Sequence, residues 1–175
     1  MCDGYGGYSD RLYPNAHFAT CLVHFRREFI KITKLLKKEQ LKYSKARQAV
    51  RLLGAVFHKE NELTYQTEEE KRQQRVRQVK PLLDRFYHYL NSIVSPRDRL
   101  GAAIKNALKL QTRAYRIFED GQIPLSNNAL EGEIRLTTLI RKNCLFAKSK
   151  RGAEANAIYY TLVATAKVNE LNIYK

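Results

Sequence analysis

The sequence predicts a mainly α-helical fold, and three observations predict it. Apolar residues recur at three- and four-residue steps through most of the chain, the period of one face of an α-helix. Helix-start and helix-stop residues punctuate those stripes. A hydrophobic fraction of 44% over 175 residues supplies enough apolar surface for a core, which argues against disorder despite 28% charged residues.

The first fifteen residues, MCDGYGGYSDRLYPN, hold three of the eight glycines and one of the four prolines, and read as turn or irregular structure. Phe18, Leu22, Phe25, Phe29, Ile32 and Leu36 then draw one apolar stripe, which predicts a helix of about 20 residues. Arg27, Lys31, Lys34 and Lys38 line another of its faces. A second helix is expected through Ala46, Ala49, Val50, Leu53, Val56 and Phe57. Glu68, Glu69 and Glu70 precede Lys71, Arg72, Arg75 and Arg77; acids early and bases late suit the helix macrodipole, so a solvated helix start belongs here. Val76, Val79, Leu83, Phe86, Leu90 and Ile93 form the next stripe, in which Pro81 starts a new helix or kinks a continuing one.

Ser95-Pro96 breaks the chain, and a fourth helix is expected over 97–119 with Leu100, Ile104, Ala107, Leu108, Ala114 and Phe118 inward. Gly121 ends it. Residues 122–125 read as a short extended piece. Asn127-Asn128 reads as the next helix start, with Leu130, Ile134 and Thr137 inward. Cys144 to Ala147 is a brief apolar run in a basic loop, and a last helix over 152–171 should pack through Ala155, Ile158, Leu162 and Thr165.

The charge narrows the partner. Lys and Arg number 32 against 17 Asp and Glu, a formal net charge of +15, which points to a polyanion: nucleic acid before a membrane surface. No apolar run approaches the ~18 residues of a membrane span, and no signal-peptide core follows Met1. Cys2, Cys21 and Cys144 are odd in number and widely scattered, so a reducing, cytoplasmic setting is expected rather than a disulfide framework.

Several enzyme classes lack their motifs: there is no Gly-x-Ser-x-Gly, no P-loop and no dinucleotide fingerprint. His17, Cys21 and His24 fall at i, i+4 and i+7, a spacing open to zinc ligation or to packing and hydrogen bonding by buried side chains. Asp3 lies in a glycine- and tyrosine-rich turn. Glu131 lies one turn into a helix, where Asn128-x-x-Glu131 has capping-box spacing.

Those same residues carry a family resemblance. Asp3-Gly4-Tyr5-Gly6-Gly7-Tyr8 resembles the Asp-Gly-Tyr-x-x-Tyr segment of the transposases of insertion-sequence family 66. Cys21 to Phe29 resembles that family's Cys-x-x-His-x-Arg-Arg-x-Phe block. Asp120-Gly121 and Ser126-Asn127-Asn128-Ala129-Leu130-Glu131, followed by Ile134-Arg135, resemble its Asp-Gly then Asn-Asn-x-x-Glu signature. Arg141 to Ser149 is similar to its Arg-Lys-Asn-x-Leu-Phe-x-x-Ser block, and Thr165 to Asn169 to its closing Thr-Ala-Lys-x-Asn. Five blocks in order, from Asp3 to Asn169, make a specific set.

The resemblance implies a DDE transposase: an RNase H-like α/β catalytic core interrupted by an all-α insertion, in which three carboxylates hold two Mg²⁺ (or Mn²⁺) ions for in-line attack on a DNA phosphodiester. Asp3 matches the second acid and Glu131 the third, both as catalytic residues and as metal ligands. Residues 1–15 would then close a core strand, 16–120 form the helical insertion and its connections, and 121–175 return to the core. The family's first Asp belongs to a strand upstream of Asp3 and has no match here, so the expectation is a carboxy-terminal portion, incomplete for catalysis alone. Ser126 stands where many members carry Asp, and Gly132 where many carry Arg. DNA is the expected partner, as transposon ends and target. Asn127, Asn128, Arg135, Arg141, Lys142, Lys148, Lys150 and Arg151 are the expected DNA contacts, with Cys21 and His24 structural. A homo-oligomer, or an amino-terminal half of the transposase, would complete the assembly near the nucleoid. The alternative from another class is a non-catalytic basic helical protein for DNA binding or protein interaction.

Overall fold

The computed structural model describes residues 1–2, 7, 11–94, 97–129, 131–132 and 149–173. They divide into two compact units, Met1–Asn127 and Asn128–Lys175. Among the described residues the structure is mainly α, with a single isolated parallel β-bridge between Cys2 and Thr20. No described helix is long and apolar enough to cross a membrane.

In the first unit, α1 (Leu22–Thr33) buries Leu22, Phe25 and Phe29. It is shorter than its stripe predicts. Thr33 turns its Oγ1 back to donate to the Ile30 carbonyl at 2.8 Å, and Phe18 and Leu36 lie beyond the helix ends. A four-residue α2 (Lys38–Leu41) leads to α3 (Lys45–Asn61), whose cap Ser44 accepts the Arg47 N–H at 3.3 Å. Ala46, Ala49, Leu53 and Val56 face inward as their spacing predicts.

α4 (Glu68–Gln74) starts at Thr67, whose hydroxyl accepts the Glu70 N–H at 3.2 Å. It runs through a π-helical segment, Arg75–Val79, into α5 (Lys80–Ser92). Pro81 at the head of α5 has no N–H and crowds the turn before it, and the wider π turn accommodates both demands. The register shifts in consequence. Arg75 and Val79 are buried, while Val76, expected inward, is 40% exposed.

α6 (Arg99–Lys109) is capped by Asp98, which accepts the Gly101 N–H at 3.0 Å. The long fourth helix expected from the stripe is divided here. Leu110 leaves helical geometry at φ −97°, ψ 10° and is buried, after which α7 (Gln111–Tyr115) and a 3₁₀ turn (Arg116–Phe118) follow. Residues 122–125, expected as a short extended piece, leave the turn at Gln122 as an irregular, bent stretch.

α1 packs against α3 and α6, and α3 against α5. Aromatic rings run through this core: Phe29 to Phe86 at 6.1 Å, Phe86 to Tyr87 at 5.2 Å and Tyr87 to Tyr115 at 5.6 Å between centroids.

In the second unit, Asn128, Ala129, Glu131 and Gly132 are helical, and α8 (Lys150–Val168) is capped by Ser149. The expected close packing of Ala155, Ile158, Leu162 and Thr165 is not found: no residue of α8 is buried, and Ile158 and Leu162 are largely exposed. Its apolar residues are spread around the helix, so no single face can be covered. Ser95, Pro96, Leu130, Ile134, Thr137 and Cys144 to Ala147 lie outside the described residues.

Candidate functional site

Cys21, the extended residue ahead of α1, is fully buried and gathers three stretches of chain. Its N–H donates to the Cys2 carbonyl at 2.9 Å, and the Cys2 N–H donates to the Ala19 carbonyl at 2.9 Å. Its Sγ accepts the Asn127 N–H at 3.5 Å. One residue on, the Leu22 N–H donates to the Leu125 carbonyl at 3.0 Å. Cys2 and Asn127, both of the first unit and far apart in sequence, thus meet at one cysteine.

Asp3 itself lies outside the described residues. Glu131 is half-buried and helical in the second unit. Asn128 is already helical, so the Asn128-x-x-Glu131 spacing falls one residue inside the helix and Asn127 is the residue ahead of the first turn.

Two polar atoms on residues next to or bonded to Cys21 have no hydrogen-bond partner among the described residues. Thr20 Oγ1 belongs to a fully buried residue, and Asn127 Oδ1 is buried on a half-buried one. An unpaired buried polar group costs about 1–3 kcal/mol, and such costs concentrate where a ligand completes the bonding. Both are hard oxygens. Their kind suits an Mg²⁺-type ion or its water shell and does not suit a thiolate metal.

The zinc alternative loses its geometry. α1 begins at Leu22, so His17 precedes the helix and shares no helical face with His24. Cys21 is engaged by the Asn127 amide and His24 is half-buried a turn later. Among the described residues no three His, Cys, Asp or Glu side chains gather to hold a metal.

The loop leading to Asn127 is held by a residue the spacing did not flag. Arg75, 1% exposed, donates from Nε to Glu60 Oε1 at 2.9 Å and pairs through Nη2 with the same carboxylate. Its Nη1 points to the carbonyls of Ile117 and Gly121 at 3.2 Å and of Ile123 at 2.7 Å. One guanidinium thus satisfies the end of the 3₁₀ turn and the loop carrying Asp120-Gly121. Gly121 is buried against the start of α4, where a Cβ would collide with the Glu68 carbonyl oxygen. The Asp-Gly pair therefore marks a close backbone approach as well as a helix end.

Of the expected DNA contacts, Lys150 and Arg151 are exposed in the first turn of α8, with Lys150 4.0 Å from Glu154. Cations there oppose the helix macrodipole, a cost that an anionic ligand removes. Arg135, Arg141, Lys142 and Lys148 lie outside the described residues.

The ordered motif blocks resemble those of a transposase-type domain. The family model described as Transposase IS66 family matches residues 1–155, and the chain belongs to that family. Relatives in Sinorhizobium fredii include the uncharacterized protein y4jD, 28% identical over 159 residues, and y4hP, 27% identical over 165. Each match covers 89% of this chain and 30% of the relative, so the chain spans about a third of those proteins. A third relative, y4qI, is 38% identical over 76 residues, 43% of this chain and 14% of its own length. No solved structure matches significantly.

Proposed function

We propose that this chain is the carboxy-terminal part of a transposase catalytic domain, which cuts and joins DNA phosphodiesters by two-metal in-line transfer. The observation that supports the reading is the match of the Transposase IS66 family model to residues 1–155, a span that includes both Asp3 and Glu131. Asp3 and Glu131 supply two of three carboxylates. The third comes from outside these 175 residues, in keeping with the greater length of the relatives.

The assignment of 16–120 as an all-α insertion and of 121–175 as the return to an RNase H-like core belongs to the same reading. So does DNA as partner. A divalent ion of the Mg²⁺ type would, when bound, supply charge neutralisation at the phosphate and activate the attacking oxygen. The protein's own part is positional. Asp3 and Glu131 would hold the ion with hard carboxylate oxygens, Thr20 and Asn127 would offer further acceptor oxygens, and Lys150 and Arg151 would hold flanking phosphates.

The test is strand transfer by the domain completed with its upstream strands. Asp3→Asn and Glu131→Gln should each abolish Mg²⁺-dependent transfer while leaving helical content and melting temperature unchanged. Transfer that survives Glu131→Gln sinks the reading and leaves a non-catalytic DNA-binding protein in its place.

A further inference from the structure

Some surface cations of the first unit are neutralised locally. Lys31 pairs with Glu28 at 2.6 Å, Lys59 with Glu62 at 2.6 Å, Arg72 with Glu69 at 2.6 Å and Lys80 with Asp84 at 3.2 Å. The corner between the end of α1 and the middle of α3 concentrates cations in a short stretch. Residues 34–51 carry seven cations and one acid, Glu39. Among the described residues, Lys42, Arg47 and Arg51 form no ion pair. Like charges held this close repel one another, and an external anion relieves the repulsion.

The same corner is concave. A pocket of about 260 Å³ is lined by Lys42, Tyr43, Arg47, Arg51 and Tyr89. Tyr89 is held in place, its hydroxyl donating to the Lys45 carbonyl at 3.2 Å. Tyr43 presents its ring to solvent at 81% exposure, with Lys42 Nζ 5.7 Å from the ring centre. Arginine forks and a lysine point charge suit phosphate oxygens, and an exposed aromatic face suits an unstacked base.

We propose that this corner is a second DNA site that takes single-stranded DNA: Lys42, Arg47 and Arg51 hold consecutive phosphates and Tyr43 stacks one unpaired base. The proposal rests on the reading of the chain as a DNA-processing domain, and its site is built from none of the residues expected around the two acids.

Fluorescence anisotropy of a labelled 12-nucleotide oligothymidylate, titrated with the full 175-residue chain over a salt series, tests it. The triple variant Lys42→Ala/Arg47→Ala/Arg51→Ala should flatten the salt slope by about 2, since each phosphate neutralised on a single strand contributes about 0.7. Tyr43→Ala should weaken oligothymidylate binding about 5- to 150-fold, the loss expected for one stacked base, and leave binding to a blunt duplex unchanged. Tyr43→Phe should bind like wild type. The charge-matched control Lys31→Ala/Lys59→Ala/Lys80→Ala removes cations that already have acidic partners and should change the slope little.

An unchanged slope in the first triple variant overturns the proposal, as does an equal loss in the control. A Tyr43→Ala effect shared by the duplex also overturns it, because stacking on an unpaired base is then not what is lost. A wild-type chain that ignores the oligonucleotide in low salt overturns it outright. Strand transfer by the completed domain is judged separately by Glu131→Gln, so the two readings can fail independently.

Discussion

At the scale of single residues, Arg75 has the largest predicted effect on stability. It is a buried charge whose partners are one carboxylate and several carbonyls. Removing one member of a buried pair leaves the other uncompensated, at about 3–5 kcal/mol. Glu60→Gln and Arg75→Met should therefore each lower stability to urea by a few kcal/mol, and Arg75→Lys should not rescue, since a single ammonium cannot span the same acceptors. Tyr87 behaves oppositely. Its hydroxyl is buried with no hydrogen-bond partner among the described residues, and burial, then the neighbouring Tyr115, pushes its ionisation far above the usual tyrosine range. Because the folded state resists deprotonation, the stability from this group is whole below about pH 10 and is lost as the pH rises beyond it. Tyr87→Phe should be neutral or stabilising by up to about 1 kcal/mol, and should blunt alkaline unfolding followed by circular dichroism. Neither Arg75 nor Tyr87 could be picked out from spacing. An arginine in a polar run reads as solvent-facing until the chain 42 residues later comes to meet it.

At the scale of elements, the legible parts were those whose packing is local and periodic. α3 and α5 bury the stripes their spacing predicts because each is one regular face against another. Where backbone chemistry intervened, the reading slipped. The π turn ahead of Pro81 moved Val76 outward and Arg75 inward, and a hydrophobic period cannot report an extra residue in a turn. This shift makes a direct prediction: Val76→Ala should change stability by less than about 0.5 kcal/mol, whereas Val79→Ala should cost about 2 kcal/mol in equilibrium unfolding. The helix of Glu131 offers another. A Cβ at Gly132 would meet nothing within 4 Å, so the glycine is not there for lack of space. Gly132→Arg should fold normally and strengthen the helix by up to about 1 kcal/mol in thermal melts. The capping-box reading slipped by one residue, within the ordinary uncertainty of helix ends. The junction at Cys21 was not legible from spacing, since its partners Cys2 and Asn127 lie far apart in sequence.

At the scale of the whole molecule, the net charge of +15 acquires two opposite consequences. Unliganded, the chain repels itself, so raising salt from 0.02 to 0.2 M should raise its melting temperature by a few degrees, each 1 kcal/mol being about 2–4 °C for a chain of this size. DNA binding should weaken over the same range. Family membership rests on residues 1–155, and the described fold is mainly α in agreement with the periodicity. The central claim is that Asp3 and Glu131 serve one metal site. A double-mutant cycle on Mn²⁺ affinity, measured by titration calorimetry on the domain completed with its upstream strands, tests it most directly. The account predicts that Asp3→Asn and Glu131→Gln each weaken Mn²⁺ binding by more than about 100-fold, beyond the loss typical of an outer-shell partner, and that the double variant loses little more. Wild-type affinity in either single variant, or losses that simply add, would contradict it.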